Sequence, residues 1–218
     1  MCGRFVNINK ISRVKKIFDI KNNLEIKKDI ISYNIAPSQN VNIIINNKIL
    51  DVETANWGID FFDKRYNLKR KVINSRLETI QQKILFKESF FHRRCLIPVN
   101  GYFEWKTKDG IKMPYFFQLG DLAIFFFAGI WKFSTINNLK IKTFSIITKE
   151  ANMIVNQIHK RMPVIMDIYE GKNYLKENDF LIESNFISKF EEFLFFEPVS
   201  KFVNSPQNNT LECIKTIN

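Results

Sequence analysis

Residues 94–149 read as strand after strand. "RCLIPVNGYFEWK" (94–106), "PYFFQLG" (114–120), "LAIFFFAGIW" (122–131) and "IKTFSIITK" (141–149) follow one another with only turn signals such as "KDG" and "LGD" between them. That succession leaves no room for the crossover helices of βαβ units. It predicts a single α+β domain with a curved, largely antiparallel, barrel-like β-sheet. Further strand-like runs at 41–46, 50–59 and 71–76 extend the same sheet. The basic stretch "DKRYNLKRK" (63–71) between the last two reads as a loop.

Few helices flank these strands. "ISRVKKIF" (11–18) places Ile11, Val14, Ile17 and Phe18 on one helical face. A short helix is expected from "KEANMIVNQI" (149–158), where Ala151, Ile154, Val155 and Ile158 share a face, and a late amphipathic one at "ISKFEEFLFF" (187–196). "FEPVSKFVN" (196–204) reads as a final strand, and 205–218 as a polar tail.

With 218 residues, 45% hydrophobics and 22 Phe, the chain can bury a sizeable core. Its longest apolar run, at 122–131, is ten residues, too short to span a bilayer, so no membrane is expected. The N-terminus lacks a basic region followed by an apolar stretch, which predicts no secretory signal and a cytoplasmic protein, nucleoid-associated if bacterial. The three cysteines, Cys2, Cys95 and Cys213, are an odd count without CxxC spacing. That disfavours a disulfide framework and a zinc site; no metal is expected. The net charge of +11 admits a polyanion partner, nucleic acid before membrane. A chain dominated by Lys, Asn, Ile and Phe would also become basic through coding bias alone, so charge by itself decides nothing.

The rarer residues are more telling. Only eight of the 33 basic residues are Arg, and Arg4, Arg76, Arg93, Arg94 and Arg161 fall in short distinctive stretches. Arg retained in a Lys-rich chain suits sites where a planar fork grips phosphate or carboxylate. "VINSRLETI" puts Asn74 and Arg76 two apart, on one face of a strand end. "GYFEW" sets Glu104 between aromatics, either facing solvent or buried with a raised pKa suited to acid–base work. His159, one of two histidines with His92, follows a helical pattern and is either structural or catalytic. "YNIAPSQ" (33–39) reads as a Pro-containing loop. "MCGRF" opens the chain; if Met1 is removed, Cys2 carries an α-amine and a thiol on adjacent carbons, a pair suited to capturing aldehydes. A cysteine so near a terminus is otherwise incidental.

Taken together, "MCGRF", "YNIAPSQ", "NWG", "NSRLET", "RRCLIPVNGYFEW", "PYFF", "FAGIW", "TFSIITKEAN", "HKRMP" and "VSKFVN" occur in the order of an SOS response-associated peptidase (SRAP) domain, which the chain resembles over about residues 2–204. The resemblance implies a DNA-damage function. Met1 would be lost by self-processing or to an aminopeptidase, and Cys2 would cross-link to abasic sites in single-stranded DNA through a thiazolidine, with peptidase-like maturation and lyase-like chemistry. It implies Cys2 as nucleophile and Asn74, Glu104 and His159 as active-site partners. It also implies Arg4, Arg76 and Arg161 as DNA contacts, and Pro37 and Trp57 as elements that pack against bases. No cofactor is implied, and a monomer is expected. The chain departs from the family after "WG", where "IDFFDKRYNLKRK" replaces a Pro-Trp-containing loop, and at Phe103, where many relatives carry Tyr. Two rival readings stay open: a cysteine hydrolase acting in trans, and a non-covalent single-stranded nucleic-acid-binding module.

Overall fold

Alternation along the apolar strands decides the architecture, because both of their faces are buried. The computed structural model describes residues 2–21, 27–63, 66–136, 138–176 and 186–217. In chain order its elements are β1 (Phe5–Asn7), α1 (Ile11–Phe18), β2 (Ser32–Ile35), β3 (Asn40–Asn47), β4 (Ile49–Trp57), β5 (Ile59–Asp63), β6 (Leu68–Val72), β7 (Asn74–Arg76) and α2 (Ile84–His92). They continue with β8 (Arg94–Val99), β9 (Gly101–Lys108), β10 (Ile111–Gln118), β11 (Phe125–Ile136), β12 (Leu139–Glu150), β13 (Arg161–Pro163), β14 (Ile165–Met166), α3 (Ile168–Lys176) and β15 (Phe195–Pro198).

Strands β12, β4, β3, β8 and β11 pair in that order, and β11 pairs back with β12, closing a five-stranded barrel. The pairing is antiparallel except between β12 and β4, where Thr143 lies beside Asn56 and Phe144 beside Trp57 in parallel. Odd positions of β8 (Cys95, Ile97, Val99) and of β11 (Phe125, Phe127, Trp131) point into the barrel with Val41, Ile43, Phe144 and Ile146. Even positions (Leu96, Phe126, Ala128, Ile130) point outward, against a second cluster supplied by α1, α2 and α3. A period of two with both faces apolar produces the continuous hydrophobic runs seen in the sequence.

A second sheet, ordered β15-β10-β9-β1-β2, packs beside the barrel. The stretch 94–106, read as one strand, crosses between the two sheets at Asn100. Its backbone N–H donates to Val6 O at 2.8 Å, while its side-chain oxygen accepts from Ile8 N at 2.9 Å and Asn9 Nδ2 at 2.7 Å. The residue after this crossing has to be small: a Cβ on Gly101 would sit 2.3 Å from Phe116 Cζ.

Several expectations are corrected. The stretch 63–71 is not simply a loop: Leu68–Val72 pairs antiparallel with Ile59–Asp63 as a hairpin, although Lys64 and Arg65 lie outside the described residues. The helix expected from 149 is a single 3-10 turn, Val155–Gln157, because β12 continues to Glu150. Val155 N, at the start of that turn, donates to Asn152 Oδ1 at 2.9 Å. The helix expected at 187–196 is also a 3-10 turn, Lys189–Phe193, started by a Ser188–Glu191 capping box. The final strand is only Phe195–Pro198, followed by a 3-10 turn over Lys201–Asn204. The polar tail is folded: Leu211–Ile214 form a 3-10 turn, Cys213 is buried, and Thr216 bridges to Val199. Among the described residues no helix is long and apolar enough to cross a membrane.

Candidate active site

Cys2 sits just ahead of β1, on the seam between barrel and second sheet. The register there is set by β9: Phe103 N donates to Arg4 O at 2.9 Å, and Phe5 pairs with Tyr102. Cys2 is wholly buried and belongs to the cluster that fills the barrel. Its Sγ lies 4.0 Å from Arg4 O. Burial lifts the thiol far above its ordinary pKa, and the nearby Glu104 charge pushes the same way.

Asn74 reaches Cys2 from the other side. β7 lies parallel to β12, with Asn74 beside Ile146, and the preceding residue is anchored twice: Trp57 Nε1 and Ile146 N each donate to Ile73 O at 3.0 Å. From that position Asn74 Nδ2 donates to the carbonyl of Cys2 at 2.9 Å. Its side-chain oxygen is buried with no hydrogen-bond partner among the described residues, leaving an acceptor next to residue 2.

Glu104, in the middle of β9 opposite Tyr115, is buried at 3% exposure. Of the two readings of "GYFEW", the buried one holds. Burial raises its carboxyl pKa, and the charge of His159 works against that rise. His159 follows the Val155–Gln157 turn, and the backbone N–H of Arg161 donates to its Nδ1 at 3.0 Å. The same Nδ1 also lies 3.0 Å from the carbonyl oxygen of Arg161, so the backbone of Arg161 holds the ring in place in either tautomer. Cys2, Asn74, Glu104 and His159 thus come together from four separate stretches of chain.

The expected DNA contacts are placed less uniformly. Arg4 is half-buried; its Nη1 donates to Asn34 Oδ1 and Val203 O, both at 2.8 Å, and its guanidinium lies 5.9 Å from the Trp105 ring. Arg4, Trp105, Lys112 and Asn204 line an open groove of about 320 Å³. Arg76 is exposed at the end of β7. Pro37 occupies a tight turn held to β4, where Ser38 N donates to Trp57 O at 2.8 Å. Arg161 spends its fork on Glu78, with bonds of 2.6 and 3.0 Å, and on Thr148 O at 2.8 Å, so a phosphate would have to share or displace Glu78.

Trp57 corrects the reading of it as a base-packing element. Its side chain has no exposed surface; it lies parallel to Phe144 at 6.2 Å and tilted on Phe5 at 4.9 Å. The ring is core, because β4 enters the barrel where Trp57 faces inward. A further residue escaped the motif reading. Tyr102, two before Glu104, is buried in the same cluster as Cys2, and only its strand spacing from Glu104 could have flagged it. All three cysteines are free, and among the described residues no group of three or more His, Cys, Asp or Glu side chains could hold a metal.

Comparison with known proteins converges on one family. A family model described as SOS response associated peptidase (SRAP) matches residues 1–206. The chain is 35% identical over 226 residues to the abasic site processing protein YoaM of Bacillus subtilis (strain 168), covering 100% of this chain and 99% of YoaM. It is 33% identical over 223 residues to the abasic site processing protein YoqW of the same organism, covering 99% and 100%. A crystal structure of a protein from Bacteroides thetaiotaomicron shares the fold, with a TM-score of 0.77, 24% identity and both chains covered in full. A match across nearly the whole length, on a barrel that gathers Cys2, Asn74, Glu104 and His159, leads to one conclusion: the chain belongs to the SOS response associated peptidase (SRAP) family.

Proposed function

We propose that this protein processes abasic sites in DNA by cross-linking to them through Cys2 once Met1 has been removed. The observation that carries the reading is the hydrogen bond from Asn74 Nδ2 to the Cys2 carbonyl, 2.9 Å, beside a buried Glu104. It holds residue 2, and so its backbone nitrogen, in the company of an acid–base group. Two relatives named as abasic site processing proteins support the substrate class.

The ring-opened abasic site is an aldehyde. The Cys2 amine adds its lone pair to the aldehyde carbon, giving a carbinolamine. The carbinolamine loses its hydroxyl oxygen as water and becomes an imine. The thiol then adds across the C=N bond, sulfur to carbon and proton to nitrogen, closing a five-membered thiazolidine. Glu104, whose burial favours the protonated form, gives the proton that lets water leave. His159 supplies proton transfer for opening the sugar ring, and the free oxygen of Asn74 accepts from the amine. Arg4 and Arg76 act on phosphates without reading sequence. The partner we infer is single-stranded DNA, met by a monomer without a cofactor. A hydrolase acting in trans would need a thiolate at Cys2, and burial works against that form.

Processed protein and Cys2→Ala, each incubated with abasic single-stranded DNA and run on a denaturing gel, test the reading. The parent forms an adduct without reductant. Cys2→Ala, which keeps an amine but no thiol, forms one only when borohydride traps the imine. A chain still bearing Met1 forms neither. A reductant-independent Cys2→Ala adduct would overturn the thiazolidine, and no adduct from any form would leave a non-covalent binder.

A further inference from the structure

Tyr102 and Glu104 stand two apart on β9, so their side chains leave the strand on one face. Phe103 between them turns the other way, into a separate cluster with Val6 and Phe116. Tyr102 is wholly buried. Its ring is stacked on Phe117, with centroids 4.9 Å apart and planes at 10°, and meets Phe127 edge-on at 5.7 Å. Rings on two sides fix where the hydroxyl points. That hydroxyl has no hydrogen-bond partner among the described residues. A buried hydroxyl in that state lowers stability, and Phe would fill the same place without the cost. An unpaired hydroxyl within electrostatic reach of Cys2 and Glu104 therefore calls for a use.

We infer that Tyr102 is a further hydrogen-bonding residue of the Cys2 site, its hydroxyl donating to the oxygen that leaves the aldehyde carbon as water. The inference rests on the cross-linking function proposed above. When the carbinolamine collapses, the C–O bond breaks, the nitrogen lone pair forms C=N, and the proton left on nitrogen returns to the Glu104 carboxylate to give the neutral imine. The departing oxygen takes a proton from Glu104. Tyr102 keeps its own proton and holds that oxygen only by a hydrogen bond. Burial above all raises the phenol's pKa well above its usual value, so the hydroxyl stays neutral and able to donate.

Tyr102→Phe removes one oxygen and leaves the ring packing in place. The experiment compares processed full-length parent and Tyr102→Phe on abasic single-stranded DNA. It reads the single-turnover cross-linking rate on a denaturing gel, DNA affinity by anisotropy, and the melting temperature. We expect the variant to cross-link about tenfold more slowly, the scale of one hydrogen bond made in the transition state. Affinity should be unchanged, and the melting temperature equal or higher. The same slowing should appear in borohydride trapping by Cys2→Ala with and without Tyr102→Phe, because loss of water precedes ring closure. A rate within twofold of the parent overturns the inference, as does slowing that comes with a lower melting temperature or with no change in imine trapping. If the parent itself forms no adduct, the cross-linking function fails, and Tyr102 loses its role with it.

Discussion

Glu104 shows at the scale of one residue how a site stores an unfavourable charge. Its carboxyl pKa is raised from an ordinary 4.5 in the folded protein, chiefly by burial. Between that ordinary value and the raised one, the folded state holds a proton that the unfolded state has lost. Stability therefore falls as pH rises through this window. Glu104→Gln keeps the shape and removes the ionisation. It should be more stable than the parent at pH 7, and the advantage should shrink as pH falls and vanish below the ordinary carboxylate range. Melting temperatures of both proteins from pH 4 to pH 8 check this; a variant less stable than the parent at pH 7 would mean that the carboxylate is favourably paired instead. The same change should slow cross-linking and its reversal by roughly 10²–10⁴, since one acid–base group serves both directions.

Among the elements, the segment after Asn204 does more than a polar tail would. Asn34 Nδ2 donates to Ser205 O at 2.9 Å and to Asn208 O at 2.7 Å, while Asn34 Oδ1 receives Arg4. Asn209 Oδ1 accepts from Tyr33 N at 2.7 Å and from Ser32 Oγ at 2.9 Å. Cys213 completes the cluster behind β9 with Val6, Phe103 and Phe116. A chain ending at Asn204 should lose on the order of 2–4 kcal/mol through these hydrogen bonds and the exposed cluster. The urea midpoint reads it, and an unchanged midpoint would return the segment to the status of a tail. The hairpin β5–β6 is the other element the pattern concealed. Phe62, Tyr66 and Leu68 are exposed, and Arg70 covers Tyr66 at 4.8 Å while reaching Asp63 at 3.5 Å. Its second strand, "LKRKV", has no apolar alternation, because neither face is covered by a core. Helix α2 was equally hard to read: "ILFKESFFH" is apolar around much of its circumference and lacks a side-chain cap at Lys83, so neither period nor start signal marks it. α3 did carry a signal, the Asp167–Glu170 capping box, with bonds of 2.9 and 2.7 Å.

Over the whole molecule, the charge of +11 bears on binding rather than on the fold. Affinity for single-stranded DNA should fall with salt at a log–log slope of about −0.7 per phosphate contacted, and Arg76→Ala should reduce that slope by about one contact or less. Affinity that is equal at low and high salt would remove the electrostatic reading. What the sequence by itself determined are the features carried by short-range pattern and by chemistry. The strands of the barrel, with α1, were legible because a period of two or 3.6 is written into consecutive residues. Asn74, Glu104 and His159 stood out as polar residues in apolar stretches with their use undecided, and only the ordered set of family motifs singled out Cys2. Only the tertiary structure decided which face of each strand meets which partner. Trp57 is core and not a surface ring, Arg161 is held by Glu78, and the C-terminal residues pack under Arg4. It alone put Tyr102 in the same buried cluster as Cys2. The reason is physical: a periodic pattern says that a side chain has a preferred side, while what lies on that side depends on contacts between residues far apart in the chain.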